Sequence, residues 1–382
     1  MTTSLNKDNI ITGQQELQTR VSKENLLKAI TTVSGAVSSK AALPILSNIL
    51  IESTGPNKIV LTATDLELGI RSVCEATVQL QGSVTIPAKK LYEIIREVQA
   101  GEIEVTVNRN HAVNVKTGKS FFKIMGLGGE DFPKLPEISG EEAFEIDAQI
   151  LRDSLALTSF AISRDETRYT LNGVLFILNN KLSRFVATDG KRMSCVQYQT
   201  DVQNSISVEV IIPTKTVLEL LKTLSGTEEK VRIAVSQNQI MFQFEETVFV
   251  SRLIEGRFPN YEQVIPKEEK VTTEVNRVEL LQAMKRVSLL TSQENQAVKV
   301  DFIKGKLMLA ARSQNLGEAK EEIETEIKGV DLSIGFNPAY VMDALKSLDV
   351  ERVRLSASDP DKPGVLRAGE HFLYVVMPMQ LS

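Results

Sequence analysis

The chain repeats one helix start three times, at a spacing of about one domain. Ile86-Pro87-Ala88-Lys89-Lys90-Leu91, Ile212-Pro213-Thr214-Lys215-Thr216-Val217 and Asn337-Pro338-Ala339-Tyr340-Val341 each place a proline ahead of an amphipathic stretch. The steps are 126 residues (87 to 213) and 125 residues (213 to 338). Proline holds φ near the helical value and has no N–H to leave unpaired, so it suits a first helical turn. Two further markers keep the same order. Ala63-Thr64-Asp65 returns as Ala187-Thr188-Asp189, with a blurred third copy around Ala311-Arg312-Ser313. Phe132-Pro133 returns as Phe258-Pro259 and is echoed by Met377-Pro378. The period is too long for a solenoid repeat of roughly 20–50 residues. It fits three similar domains in a row.

Each copy has the same order of elements. A first helix follows a good N-cap residue: Ser22 before Lys23-Glu24-Asn25-Leu26, Asp147 before Ala148-Gln149-Ile150, and Asn276 before Arg277-Val278-Glu279. Leu26, Leu27, Ile30 and Val33 form one helical stripe. Strand-like runs follow, then the proline-led helix, then a pair of alternating strands. Examples are Ile103, Val105 and Val107 with Val113 and Val115, and Val231, Ile233 and Val235 with Ile240, Phe242 and Phe244. The expected fold class is α+β, with two helices and about eight short strands per domain. The boundaries read as a tail over 1–16 and domains over 17–139, 140–265 and 266–382. The stretch Pro266-Lys267-Glu268-Glu269-Lys270 reads as a solvated linker.

Composition excludes several classes. Hydrophobic residues make up 42% and charged residues 24% of 382, as in an ordinary globular protein. Met1 to Asp8 carries no apolar stretch of the secretory kind, and no run approaches the roughly 18–20 apolar residues of a membrane span. Cys74 and Cys195 lie in different repeats and form no Cys-x-x-Cys pair, which fits the reducing cytoplasm and two small buried side chains. Net charge is −5, yet the six helical segments carry twelve Lys or Arg against seven Asp or Glu. Basic helices on an otherwise acidic chain suit a polyanion held at one surface. No aromatics interleave with these basic residues, so contact is expected with phosphates and not with bases.

Several segments together carry a resemblance. They are Leu43-Pro44-Ile45-Leu46-Ser47-Asn48, Thr64-Asp65-Leu66-Glu67, Arg168-Tyr169-Thr170-Leu171-Asn172-Gly173, Ala187-Thr188-Asp189-Gly190-Lys191-Arg192, Gly256-Arg257-Phe258-Pro259-Asn260-Tyr261 and Tyr374-Val375-Val376-Met377-Pro378-Met379. From about Leu17 to Leu381 the chain resembles the bacterial beta sliding clamps, the processivity subunits of the replicative DNA polymerase. The resemblance implies a head-to-tail homodimer, a closed ring with helices lining a hole for double-stranded DNA, and no catalysis or cofactor. Its implied partners are the polymerase, a clamp loader and other proteins carrying a short clamp-binding peptide.

Carried over motif by motif, the implied peptide pocket uses Leu171, Thr188, Gly190, Lys191, Arg192, Met193, Pro259, Val264, Asn337, Tyr340, Val375, Met377, Pro378 and Met379. Leu171 and Val375 read equally well as plain core. The implied DNA contacts are Lys40, Lys89, Arg96, Arg164 and Lys215. The implied dimer contacts are Phe121, Phe122 and Ile124 against Leu289 and Leu290, with Lys90 facing Glu318, Glu321 or Glu322. The chain departs from the family's pattern at Lys191, where His is frequent, and at Gln263 and Gln380, where basic residues are frequent. Ser382 and the N-terminal tail are extra.

Two rival classes fit the sequence less well. An enzyme would need Asp65 with Glu67, or Asp189 with Arg192, to act as a carboxylate site. No metal, nucleotide or nucleophile motif supports them, and His111 and His371 read as surface residues. Asp65 and Asp189 recur at equivalent positions, which suits turn caps. A sequence-specific, non-clamp DNA-binding protein is disfavoured by the acidic total and the lack of a recognition motif.

Overall fold

A computed structural model of the chain describes residues 15–38, 43–99, 101–136, 143–179, 182–200, 207–227, 229–291 and 296–381. The first repeat runs β1 (Gln15–Ser22), α1 (Lys23–Ser34), β2 (Asn48–Ser53), β3 (Lys58–Thr64), β4 (Leu68–Glu75), β5 (Thr77–Leu80), β6 (Ser83–Pro87), α2 (Ala88–Glu97), β7 (Glu102–Asn108), β8 (Ala112–Thr117), β9 (Ser120–Met125) and β10 (Leu127–Gly128). The second runs β11 (Phe144–Asp147), α3 (Ala148–Ser159), β12 (Gly173–Asn179), β13 (Leu182–Thr188), β14 (Arg192–Gln199), β15 (Ser207–Pro213), α4 (Thr214–Thr223), β16 (Lys230–Val235), β17 (Gln239–Phe244) and β18 (Thr247–Arg252). The third runs β19 (Val271–Asn276), α5 (Arg277–Val287), β20 (Val298–Ile303), β21 (Lys306–Ser313), β22 (Gly317–Glu324), β23 (Ile327–Gly329), β24 (Leu332–Phe336), α6 (Pro338–Ser347), β25 (Arg352–Ala357), β26 (Gly364–Ala368) and β27 (Phe372–Val376). The order expected from sequence is present in all three, with two α-helices in each.

The helix starts have the expected chemistry. The Ser22 hydroxyl accepts from Asn25 N–H, Asp147 accepts from Gln149 and Ile150, and Asn276 accepts from Val278 and Glu279. Pro87 and Pro213 are themselves the N-cap residues of α2 and α4, whereas Pro338 opens α6 behind Asn337. Helix α1 buries Leu26, Ala29, Ile30 and Val33, while Leu27 sits half-buried at the edge of that stripe. Each such Leu, Ile or Val contributes about 1.5–3 kcal/mol. The paired strands alternate as expected: β7 buries Ile103, Val105 and Val107 and leaves the residues between them half-exposed.

Two of the twelve basic helix residues are not on a free surface. The Lys23 ammonium donates to the carbonyls of Arg96 and Val98 at the end of α2. The Arg277 guanidinium does the same at the end of α6, donating to Val350 (2.9 Å) and Leu345 (3.2 Å). In both repeats the first helix thus caps the C-terminus of the second, where unpaired carbonyls favour a cation.

The strands pair across repeat boundaries. Strand β4 of the first repeat pairs antiparallel with β18 of the second, placing Phe249 opposite Ile70 and Val250 opposite Gly69. Strand β14 of the second pairs in the same way with β27 of the third, placing Tyr374 opposite Ser194 and Val375 opposite Met193. We call these the first and second seams. Because of the first seam, the chain divides into compact units differently from its repeats. One unit is the chain up to Ala143 together with Val231–Arg252; the other is Phe144–Lys230 with Leu253 onward.

Within the first unit one sheet is ordered β10-β6-β2-β3-β4-β18-β17-β16 and another β5-β1-β7-β8-β9. Within the second, one sheet is ordered β15-β12-β13-β14-β27-β26-β25-β19-β23 and another β22-β21-β20-β24. Strands β9 and β22 are therefore sheet edges. The first strand begins at Gln15, opposite Asn108; the earlier part of the expected tail, like Ser382, lies outside the described residues.

Candidate functional site

The second seam gathers most of the residues implied for the peptide pocket. Its local frame is the turn between β13 and β14. Asp189 Oδ1 accepts from Lys191 N–H (2.9 Å) and Arg192 N–H (3.0 Å), and Thr188 Oγ1 accepts from Gly190 N–H and donates to Arg192 O. Gly190 holds φ at 85°, a left-handed value that glycine adopts without strain. Asp65 plays the same part before β4, accepting from Glu67 and Leu68. Both aspartates are thus turn caps, as their repetition implied.

Arg192 leaves this turn into a closed set of partners. It donates to Asp189 Oδ2 (3.0 Å), Asp343 Oδ2 (2.7 Å) and the Phe160 carbonyl (2.8 Å), and its guanidinium lies 4.5 Å from the centre of the Tyr340 ring. Burial draws the guanidinium pKa down, but the two carboxylates carry it above its ordinary value. Asp343 and Phe160 were not among the expected site residues. The only sequence signal for Asp343 was its place as an acid on the third proline-led helix, 151 residues from its partner.

Met193 and Val375 face each other across the seam and are buried, with Phe258, Tyr261, Ile254 and Ile265 packed over the cluster they share. Leu171 is also buried. Around them, Val264 and Met377 are exposed at 41% and 40%, Pro259, Gly190 and Lys191 are exposed, and Pro378 and Met379 are half-buried. Met377 N–H donates to Lys191 O (2.9 Å) and Met379 N–H to Gly335 O (2.8 Å), which ties the last strand's continuation to the turn. Asn337 is occupied as the N-cap of α6, and Tyr340 stands half-buried against Arg192. Apolar, Met-rich surroundings with exposed rims suit a Leu or Phe side chain from a peptide.

The other implied residues lie elsewhere. Lys89 and Arg164 are exposed, Arg96 is exposed and pairs with Glu97 at 2.9 Å, and Lys215 is half-buried on α4. Lys40 lies outside the described residues. Phe121, Phe122 and Ile124 occupy the edge strand β9, with Phe121 62% exposed. Leu289, 73% exposed, and Leu290 form a 3-10 turn after α5. Within the chain Lys90 binds Glu93, Glu321 binds Arg286, Glu322 binds Lys306 and Glu318 lies near Lys320. The bonds to Lys90 and Arg286 hold the Glu93 and Glu321 carboxyls below their usual range.

His371 is exposed, as expected; it stacks on Tyr198 and its Nδ1 lies 3.1 Å from Gln197 O. Two readings need correction. His111 is only half-exposed, and its buried Nδ1 makes no hydrogen bond, with Glu16 Oε2 4.0 Å away. The linker at 266–270 is not simply solvated, because Glu269 accepts from Arg354, Arg367 and Ser356. Both cysteines are buried, which pushes each thiol up to about 11. Among the described residues no three His, Cys, Asp or Glu gather as a metal site, and no helix is long and apolar enough to cross a membrane.

Comparison with known proteins places this geometry. Residues 17–136, 145–260 and 262–380 match the N-terminal, central and C-terminal domain models of the DNA polymerase III beta subunit. The beta sliding clamp of Chlamydia muridarum is 35% identical over 94% of this chain and 98% of its own length. That of Pseudomonas aeruginosa is 33% identical over 94% and 99%. Among solved structures, the DNA polymerase sliding clamp of Bacillus subtilis superposes with a TM-score of 0.92 at 28% identity, over 96% of this chain and 100% of that one. The sliding clamp of Pseudomonas aeruginosa bound to griselimycin gives 0.91 at 32% identity, with the same coverage. Three clamp domains in order, joined by two equivalent seams, make this chain a member of the DNA polymerase III beta subunit family, the beta sliding clamps.

Proposed function

We propose that two copies close head to tail into a ring around duplex DNA, and that this ring tethers the replicative polymerase and other peptide-bearing partners without chemistry of its own. The domains of the ring are 17–139, 140–265 and 266–382 of each copy, and it works in the cytoplasm.

One observation carries the closure. Each seam joins the third strand after a repeat's first helix to the third strand after the next repeat's second helix: β4 to β18, then β14 to β27. The corresponding strands left over are β22 of the third repeat and β9 of the first, and both are sheet edges. Placing β22 of one copy beside β9 of the other completes the pattern and removes exposed edges. Matched at the equivalent Ala63, Ala187 and Ala311, the register of the two seams puts Phe122 of one copy opposite Ala319 of the other and Lys123 opposite Glu318. Charge agrees: β22 carries Glu318, Glu321, Glu322 and Glu324, while β9 carries Lys123 and follows Lys119. The exposed Leu289 and Phe121 supply apolar contact.

DNA is held by enclosure more than by affinity. Lys40, Lys89, Arg96, Arg164 and Lys215 meet phosphates only, and each such contact adds about 0.9 to the log–log salt slope. A loader opens the ring. Partners dock a Leu or Phe into the second seam. Burial of two such side chains gives about 3–6 kcal/mol before association costs, which allows exchange.

The test is retention. Protein loaded on a nicked circle should stay in moderate salt and leave when the circle is cut; equal retention on circular and linear DNA would refute enclosure. Leu289→Ala with Leu290→Ala should size as a monomer by light scattering.

A further inference from the structure

Beside the second seam lies a groove of about 630 Å³ that the peptide pocket does not use. Its floor continues the pocket's own. Met193 pairs with Val375, and two residues along on the same face Cys195 pairs with Leu373. Cys195 and Leu373 line the groove. The segment from Tyr261 to Lys267 forms its wall. That wall is pinned at both ends. Arg184 on β13 donates to Tyr261 Oη (2.8 Å) and Glu262 Oε1 (3.1 Å). Beyond the other end, Glu269 is held by Arg354, Arg367 and Ser356. The two pins keep the groove from collapsing onto its floor.

One donor beside this wall, on β13, is unspent. Arg184 Nη1 and Nη2 are used by Tyr261, Glu262 and Gln197, but Arg184 Nε is buried with no acceptor. A buried guanidinium N–H without a partner is uncommon and marks a place for an incoming acceptor.

We infer that this groove binds the residues flanking the apolar anchor of a partner's clamp-binding peptide, with a peptide carbonyl or carboxylate on Arg184 Nε. The inference rests on the second seam being the anchor pocket. Strand rise of about 3.3 Å per residue makes the step from Met193 to Cys195 two residues long. An extended peptide anchored over Met193 therefore reaches the groove within two or three residues. The occupant is polar on one side, to match Arg184, Gln197 and Lys267, and apolar toward Leu373.

The experiment uses the full chain and fluorescence polarisation. The probes are a five-residue polymerase-derived peptide with its Leu and Phe anchor, and the same peptide lengthened by five native residues before or after it. One extension should bind about tenfold tighter than the short peptide, as expected for a bond to a buried charged donor. Gln197→Trp fills the groove and should erase that gain while leaving the short peptide's affinity unchanged. Arg184→Lys keeps the charge but removes Nε, and should erase most of it. A photo-reactive residue in the extension should crosslink to the peptide segments holding Gln197 or His371, a readout that does not depend on either variant folding. If neither extension tightens binding, or the gain survives in both variants, the groove assignment is wrong while the pocket stands. Failure of the short peptide to bind removes the pocket and the groove together.

Discussion

The two seams share one backbone plan and differ in what fills it. At the first, Arg252 N–H donates to Glu67 O (2.8 Å); at the second, Met377 N–H donates to Lys191 O (2.9 Å). Leu68 and Gly69 of the first correspond to Arg192 and Met193 of the second. Leu66 takes the left-handed turn position at φ 76° that Gly190 takes at 85°. The decisive difference is at Gly69. A Cβ there would stand 2.2 Å from Leu135 Cδ2, so the absence of a side chain lets the chain's own leucine close the seam. At the second seam the space belongs to a flexible methionine, and the chain continues past it as Met377-Pro378-Met379. The lesson is that one repeat junction is sealed by its own sequence, and the other is built from adaptable residues, as the proposed peptide pocket requires.

That contrast can be broken in order of effect. Deleting residues from Met377 onward should cost at least about 100-fold in peptide affinity, equivalent to roughly 3 kcal/mol of lost contact, and leave the dimer intact by light scattering. Unchanged affinity would move the binding site off the second seam. Converting Arg192→Leu, the residue type of the first seam, strands Asp189 and Asp343. It should destabilise the chain by about 2–4 kcal/mol in urea unfolding, with part of the loss recovered by adding Asp343→Leu. The reciprocal change, Gly69→Met, should cost about 1–3 kcal/mol by crowding Leu135. Adding Leu135→Ala should recover at least half of that and would give the first seam the side chain of the second. Smallest is Arg252→Ala. Its pair with Glu67 spans 3.5 Å between side chains 57% and 68% exposed, so the expected change is under about 0.5 kcal/mol.

The repeats, the helix starts and the turn aspartates were legible because each is written in contiguous residues. Proline at a first turn, Ser, Asp or Asn before it, and alternation by twos act within a few positions. The blurred third Ala-Thr-Asp marker has a local cause: Thr64 pairs with Gly69 and Thr188 with Met193, but the corresponding Arg312 pairs with Glu318, so that turn is one residue longer. What could not be read was pairing between distant segments. Nothing near Gly69 announces Leu135, nothing near Arg192 announces Asp343, and a run of Lys and Glu around Glu269 looks solvated until Arg354 and Arg367 are brought to it. Lys23 and Arg277 add to the positive charge of the helices in sequence but cap carbonyls in the fold, and those carbonyls arrive from the repeat's second helix.

The unpaired edges β9 and β22 are different surfaces, and that sets how a closed pair comes apart. In the proposed ring, the first contact between two copies brings the remaining two edges near each other, so the second forms at an effective concentration independent of how dilute the protein is. Each contact alone can then be modest while the pair persists. Opening a gap wide enough for a duplex requires the loss of one contact, whereas separating the copies requires the loss of both. A loader therefore meets a gate that swings on the intact contact, and closure afterwards needs no search for a partner.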